Sequence, residues 1–314
     1  ISGYGMVDMP ISPLFRLVGG VRLENSRQTV ETFDLFNPDA EPVIGEVSET
    51  DLMPALNLTY KLTEDMNLRA GFSRTVSRPS FRELSNLEFT DIGGHAVVGN
   101  PELRRAAIQN LDFRWEWYPG LAENISAAFT YKHFTDPIEQ TLINATELTS
   151  SWQNAKSAYN YGIELEARKN LGSIYEPLTP LSVTGNLALI RSKVELRENG
   201  METTKERPLQ GQSPYVVNAM VSYVDPALKT ELNLSYNVSG RRISEVGITG
   251  TPDIYEEATH NLDFSLAQPI SGRIQLKLSG KNLLDPEIEY TQGSQVQRHY
   301  KKGRSFSIGL SYSL

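Results

Sequence analysis

The chain has 314 residues and no cysteine, with 30 Lys plus Arg against 38 Asp plus Glu, a net charge of −8. That balance disfavours general nucleic-acid binding, and the missing cysteine excludes disulfides and thiolate metal sites. No apolar run approaches the roughly 20 residues of a membrane helix, which excludes a helical membrane protein but not a barrel of alternating strands.

Residues 1–9 read as the tail of a strand that began upstream, and Asp8 to Pro13 as a turn with two prolines. Phe15, Leu17, Val21 and Leu23 then alternate with Arg16, Gly20, Arg22 and Glu24. Phe33 to Thr50 reads as a loop, and the acidic stretch from Glu31 to Asp51 as a solvated face rather than a cation site. Leu56 to Leu62 and Leu68 to Phe72 form two alternating runs about the short turn Thr63-Glu64-Asp65. A long irregular stretch runs from Arg78 to Ala106.

Ile108 to His133 is the clearest hairpin. Leu111, Phe113, Trp115 and Trp117 share one parity, and Asn110, Asp112, Arg114 and Glu116 the other. After Pro119-Gly120 the alternation resumes with Ile125, Ala127, Phe129 and Tyr131. Further runs follow at 159–166, 181–189, 217–223, 231–238, 261–266, 274–279 and 305–314, separated in turn by loops and turns.

One such hairpin fits two settings. A soluble sheet turns its apolar face inward; a membrane barrel turns it to lipid and its charges to a wet lumen. Repetition decides between them. There are about twelve runs, each near the roughly 9–11 residues that cross a bilayer at a tilt. Connections after Lys61, Tyr118, Asn170, Val224 and Gln268 are tight, and those between them long and polar. Tyr60, Trp117, Tyr223 and Tyr312 lie on the apolar parity near short turns or the C-terminus, as an aromatic girdle would. Arg74 breaks the charge rule at the loop end of its run, where it can snorkel. The expected fold is all-β: an antiparallel transmembrane β-barrel.

Four stretches resemble the C-terminal barrel half of TonB-dependent outer-membrane receptors. The first joins Ser77-Arg78-Pro79-Ser80-Phe81-Arg82-Glu83-Leu84 to Gly99-Asn100-Pro101-Glu102-Leu103, and then Asn110-Leu111-Asp112-Phe113 to Glu116-Trp117-Tyr118. The second runs from Asn154 to Tyr161-Gly162-Ile163-Glu164-Leu165-Glu166. The third is Gly280-Lys281-Asn282-Leu283-Leu284-Asp285. The fourth is Ser307-x-Gly309-x-x-Tyr312-x-Leu314, similar to the signal read by barrel-assembly machinery, with Leu314 where Phe is usual. The resemblance implies that residues 1–314 are a partial outer-membrane barrel, the last twelve or so of about 22 strands, with the plug domain outside this chain. Ile1 and the lack of an export signal are expected of a mature chain or a fragment.

The resemblance further implies active uptake of a scarce nutrient (a ferric siderophore, vitamin or glycan) at the Gram-negative outer membrane, with no bond chemistry and no cofactor. Implied partners are membrane lipid and lipopolysaccharide, the plug, TonB, the barrel-assembly machinery and a small-molecule or oligosaccharide ligand. Arg78, Arg82, Arg104 and Arg105 are candidates for an anionic ligand; pairing with Glu83, Glu88, Asp91 and Glu102, or with lipopolysaccharide, is the preferred reading. Trp152 and Tyr255 are candidates for stacking on a ligand, against ordinary loop packing. Arg69, Asp112, Arg114, Glu116, Glu164 and Glu166 are expected to face the lumen and plug, and Gly309, Tyr312 and Leu314 to guide assembly. His95, His133, His260 and His299 lack ligand spacing, so no metal site is expected. Gly93-Gly94 is no phosphate loop. A smaller passive channel or barrel enzyme and a soluble all-β binding protein are the rival readings.

Overall fold

The computed structural model describes residues 1–33, 37, 39–90, 96–144, 149–197, 206–247 and 250–312. Asp91, Gly93, Gly94, His95 and Leu314 lie outside the described residues.

Thirteen strands follow one another in a single antiparallel wall. They are β1 (Ser2–Pro10), β2 (Phe15–Thr32), β3 (Val43–Lys61), β4 (Met66–Ser77), β5 (Ala106–Trp117), β6 (Asn124–Thr135) and β7 (Ser157–Asn170). Then come β8 (Leu181–Glu195), β9 (Tyr215–Val224), β10 (Glu231–Ser239), β11 (Thr259–Ser271), β12 (Ile274–Lys281) and β13 (Ser305–Tyr312). A two-residue strand, Glu206–Arg207, adds to the top of β8. Among the described residues, β1 pairs only with β2, and β13 only with β12. Ser2–Pro10 pairs with β2 along its whole length.

From β4 to β13 every even-to-odd connection is long, 19 to 28 residues, and every odd-to-even connection shorter, two to ten; the β2–β3 connection has ten. The tight ones are Ile11–Leu14, Leu62–Asp65, Tyr118–Glu123, Leu171–Pro180, Asp225–Thr230 and Gly272–Arg273. All therefore gather at one end of the wall. Two strands run furthest past the span a bilayer needs: β2 has 18 residues and β3 has 19, against roughly 9–11. This corrects the loop expected over Phe33 to Thr50, because β3 already begins at Val43. Above the membrane neither face meets lipid, so Val43–Thr50 keeps its pairing while losing apolar alternation.

Apolar side chains of the wall are not buried. Phe113 is 53% exposed, Ile163 50%, Leu189 49% and Ile308 75%. In a soluble sandwich those positions would lie under a second sheet. Here no layer covers them, and burial of such a side chain stabilises by about 1.5–3 kcal/mol. Lipid is the environment that supplies it. Ordinary cores occur instead in the loop layer. Val47, Leu84 and Leu103 form one, with Val30, Ile138 and Trp152 against it. Ala155, Ala158 and Val194 form another, with Phe134, Leu196 and Leu209.

The loop layer carries two small sheets. One orders Glu88–Thr90, Ala96–Val98, Thr149–Asn154 and Ile138–Asn144, with a single parallel pairing between the middle two. The other orders Arg242–Glu245, Ile254–Glu256, Glu287–Gln292 and Gln295–Lys301. The loop expected at Asn282 to Lys302 is therefore largely strand, and the one at Gly240 to Glu257 holds two short strands.

Aromatic rings mark the short-turn rim. Phe15 stacks on Tyr60 at 4.5 Å between centroids. Trp117 donates its indole N–H to Asp65 at 2.9 Å, and the Tyr223 hydroxyl donates to Asp225 at 3.1 Å. Trp117 and Tyr223 keep an apolar body on the outward parity and a polar tip at the turn, the arrangement of a ring at a membrane boundary.

Candidate functional site

Two surfaces carry the polar chemistry: the inward face of the wall and the loop layer above it.

Register places the expected inward residues together. Arg69 opposes Arg114, and Glu116 and Glu166 both oppose Ser126. Arg69 donates to Glu116 at 2.8 Å; Arg114 donates to Glu116 at 3.0 Å and to Glu166 at 2.9 Å. Two guanidinium groups and two carboxylates thus form one neutral chain across four strands. Glu164 accepts from Asn186 at 2.6 Å and opens a row of carboxamides. Asn218 donates to Asn186 at 3.4 Å and Asn237 to Asn218 at 2.7 Å. Asp112 is exposed on the same face, opposite Gly71. The carboxamide row is absent from the expected site residues; its period-two spacing is visible in the sequence, but its pairing needs the register.

In the loop layer the four candidate arginines have partners that the sequence did not indicate. Arg78 closes on Asp51 at 2.7 Å and Glu24 at 2.8 Å. Arg105 closes on Asp51 at 2.5 Å. Arg104 pairs with Asp136 at 3.0 Å, which also pairs with Arg197 at 2.7 Å. Arg82 stands over the Phe89 ring at 4.6 Å. None of Arg78, Arg104 and Arg105 pairs with Glu83, Glu88 or Glu102 among the described residues. Glu83 instead completes a capping box with Ser80 on the short helix Phe81–Leu84.

Motif residues fasten the bases of the loops. Asn100 donates its side-chain amide to the Trp152 carbonyl at 2.9 Å and accepts from the Glu102 N–H at 2.9 Å. Gly99 lies so close to the helix end that a Cβ would stand 1.9 Å from the Ser85 carbonyl. Asn154 donates to the carbonyls of Arg104 and Asp136, both at 2.8 Å, and joins two loops. Asn282 adopts φ 56°, its N–H donates to Asp263 at 2.8 Å, and its side chain donates to the Gly303 carbonyl at 2.8 Å.

Trp152 packs on the Val47 core, and Tyr255 lies under the Arg241 guanidinium at 3.9 Å. Burial and the nearby Asp253 push the Tyr255 hydroxyl up. A buried ion pair, Arg207 to Glu139 at 2.8 Å, ties the β6–β7 and β8–β9 connections. Burial pushes the Glu139 carboxyl up, against the pull of Arg207. Between the two small sheets lies a cavity of about 280 Å³ lined by Gln140, Thr141, Ser150, Glu245, Gln292 and Gln297 among others. Its neutral amides and hydroxyls offer donors and acceptors to a ligand of several oxygens. Gly309 and Tyr312 lie on β13, with Tyr312 exposed on the outward parity.

The family model described as "TonB dependent receptor-like, beta-barrel" matches residues 1–283. The chain belongs to the TonB-dependent receptor barrel family.

Similar solved structures agree in fold. A variant of the ferric enterobactin receptor of Pseudomonas aeruginosa matches at TM-score 0.67 and 16% identity, over 100% of this chain and 44% of that one. The siderophore receptor PirA from Acinetobacter baumannii matches at 0.67 and 16%, over 100% and 45%. The ferric yersiniabactin uptake receptor FyuA from Yersinia pestis matches at 0.65 and 17%, over 98% and 44%. This family member therefore spans less than half the length of those structures, and the likeness is one of fold. No curated protein matches the sequence.

Proposed function

We propose that this chain is part of the barrel of an outer-membrane receptor that takes up a ferric siderophore with the help of TonB. The observation that carries the reading is the two-ended wall. All tight turns lie at one rim, and four of the long loops fold at the other into two small sheets beside a cavity that carries several carboxamides. A ligand arriving from outside meets Gln140, Gln292 and Gln297 first, and the charged chain Arg69–Glu116–Arg114–Glu166 and the asparagine row face the plug. The plug, TonB and the barrel-assembly machinery are the proposed partners, and the reaction is transport without bond chemistry. The similar solved receptors named for ferric siderophores favour that class over a vitamin or a glycan. The outward, uncovered apolar parity counts against the soluble rival.

The test is growth and labelled-iron uptake by a strain lacking the whole receptor, supplied with ferric chelates one at a time. A chelate whose uptake needs both the receptor and a proton motive force supports the reading. Uptake indifferent to the receptor for every chelate, or insensitive to an uncoupler, sinks it.

A further inference from the structure

Counting residues outward from the short turns locates the edge of the lipid band on each strand. On β8 the outward residues are Leu181, Val183, Leu187 and Leu189, and then Arg191 and Lys193. Leu181 to Arg191 is about ten residues, roughly 33 Å along the strand, and about 25 Å of height at a tilt of about 40°. That equals the height of the apolar band of a membrane barrel. Neighbouring strands change character at the same level: Tyr161 opposes Arg191 and Tyr159 opposes Lys193 on β7, and His133 opposes Tyr159 on β6. The layer just below is Phe129, Ile163 and Leu189, all three exposed. Arg191 and Lys193 therefore stand where outer-leaflet headgroups stand, above aliphatic side chains.

One positive charge there is unmatched, that of Arg191; Glu195, two residues beyond Lys193, pairs with Lys156. Arg191 is exposed and pairs with no carboxylate among the described residues. Lys193 has one, Glu206 at 2.5 Å, which is itself 59% exposed. Tyr159 and Tyr161 stack at 6.2 Å between centroids and flank both cations. Beside them a cavity of about 500 Å³ opens where β9 stops pairing with β8, lined also by Arg241 and Arg242. We propose that Arg191 and Lys193 hold the phosphate of an outer-leaflet glycolipid of the lipid A kind, with its sugar against Tyr159 and Tyr161. Guanidinium and ammonium groups make charge-assisted bonds to phosphate, and aromatic rings suit the apolar faces of a sugar. A free anion has no reason to favour this level of the wall; a lipid is held there by its acyl chains. The site rests on the outer-membrane reading, and on no particular transported ligand.

The whole receptor, purified in detergent, is mixed with bisphosphorylated lipid A, with dephosphorylated lipid A, or with inorganic phosphate as competitor, and bound lipid is counted by native mass spectrometry. The wild type should retain the phosphorylated lipid about tenfold more than the dephosphorylated one. Arg191→Gln with Lys193→Gln should erase that preference, and Arg191→Lys should keep most of it. Equal retention of the two lipids by the wild type overturns the proposal, and so does an unchanged preference in the double variant. Displacement by equimolar inorganic phosphate also overturns it, in favour of a free-anion site. Heat-modifiable gel mobility controls for folding; if the double variant loses it, the wild-type preference and the Arg191→Lys result decide. A receptor that fails in iron uptake but passes this test separates the two readings.

Discussion

Arg78 and Arg105 stand at the two ends of the longest loop, and both close on the single carboxylate of Asp51, at 2.7 and 2.5 Å. Asp51 is 2% exposed in its side chain and belongs to β3, two strands away from β5, whose base Arg105 precedes. One acidic group therefore pins a loop whose ends lie far apart in sequence. Asp51→Ala should leave two half-buried guanidinium groups short of a partner, at a cost of about 3–5 kcal/mol to the loop's anchorage. The wall should survive. Limited proteolysis should cut faster between residues 78 and 105, with heat-modifiable mobility retained; equal cleavage of variant and wild type would count against the clamp.

The lipid and lumen faces differ in what they tolerate. Phe113 lies near mid-height on the outward face of β5, and Asp112 on the inward face. Phe113→Arg should destabilise the barrel by about 2–4 kcal/mol. Asp112→Asn should leave stability nearly unchanged, because the side chain stays in a wet lumen. Reversible unfolding in lipid vesicles measures both, and similar losses would reject the assignment of faces.

Glu139 supplies a pH dependence in the loop layer. Its carboxyl sits above the usual range because burial outweighs the pull of Arg207. A raised value means that the folded state holds the proton more tightly than the unfolded chain does. The stabilisation from that proton is complete below the ordinary carboxylate value of about 4.3, and it fades as pH rises through the folded value. Hydrogen exchange at 138–144 should thus quicken as pH climbs through that window, after correction for intrinsic rates. Glu139→Gln, which is neutral at every pH, should flatten the trend.

Gly99 is fixed by contact rather than by backbone angle. A Cβ there would meet three backbone carbonyls, of Ser85, Arg82 and Glu83, at 1.9, 2.6 and 2.9 Å. Backbone cannot swing aside as a side chain can. Gly99→Ala should cost about 1–3 kcal/mol and loosen the Leu84–Leu103 core. Fluorescence of Trp152, which packs on that core, reports the change; an unaltered spectrum and stability would refute it.

Strand identity and the alternation of apolar and polar positions were readable from residue order, because lipid and water impose a period of two on a membrane wall. The same rule failed at Val43–Thr50 and in the two small sheets. There both faces meet water or other loops, so no apolar alternation marks the strands. Candidate arginines were recognisable by type and loop, but their partners were not. Asp51 and Glu24 are distant in sequence from Arg78 and Arg105, and only strand order brings them near.

The sequence by itself therefore determined the class: an acidic, cysteine-free barrel wall with tight turns at one rim and long loops at the other, and an apolar parity set against a polar one. Those features follow from local alternation, which each strand writes independently. Tertiary structure alone decided the rest. Register joined Arg69, Glu116, Arg114 and Glu166 into one chain and set Arg191 opposite Tyr161. Strand order brought Asp51 under both ends of one loop. Such pairings depend on which strands are neighbours and by how many residues they are shifted, and period two is the same for every shift of two.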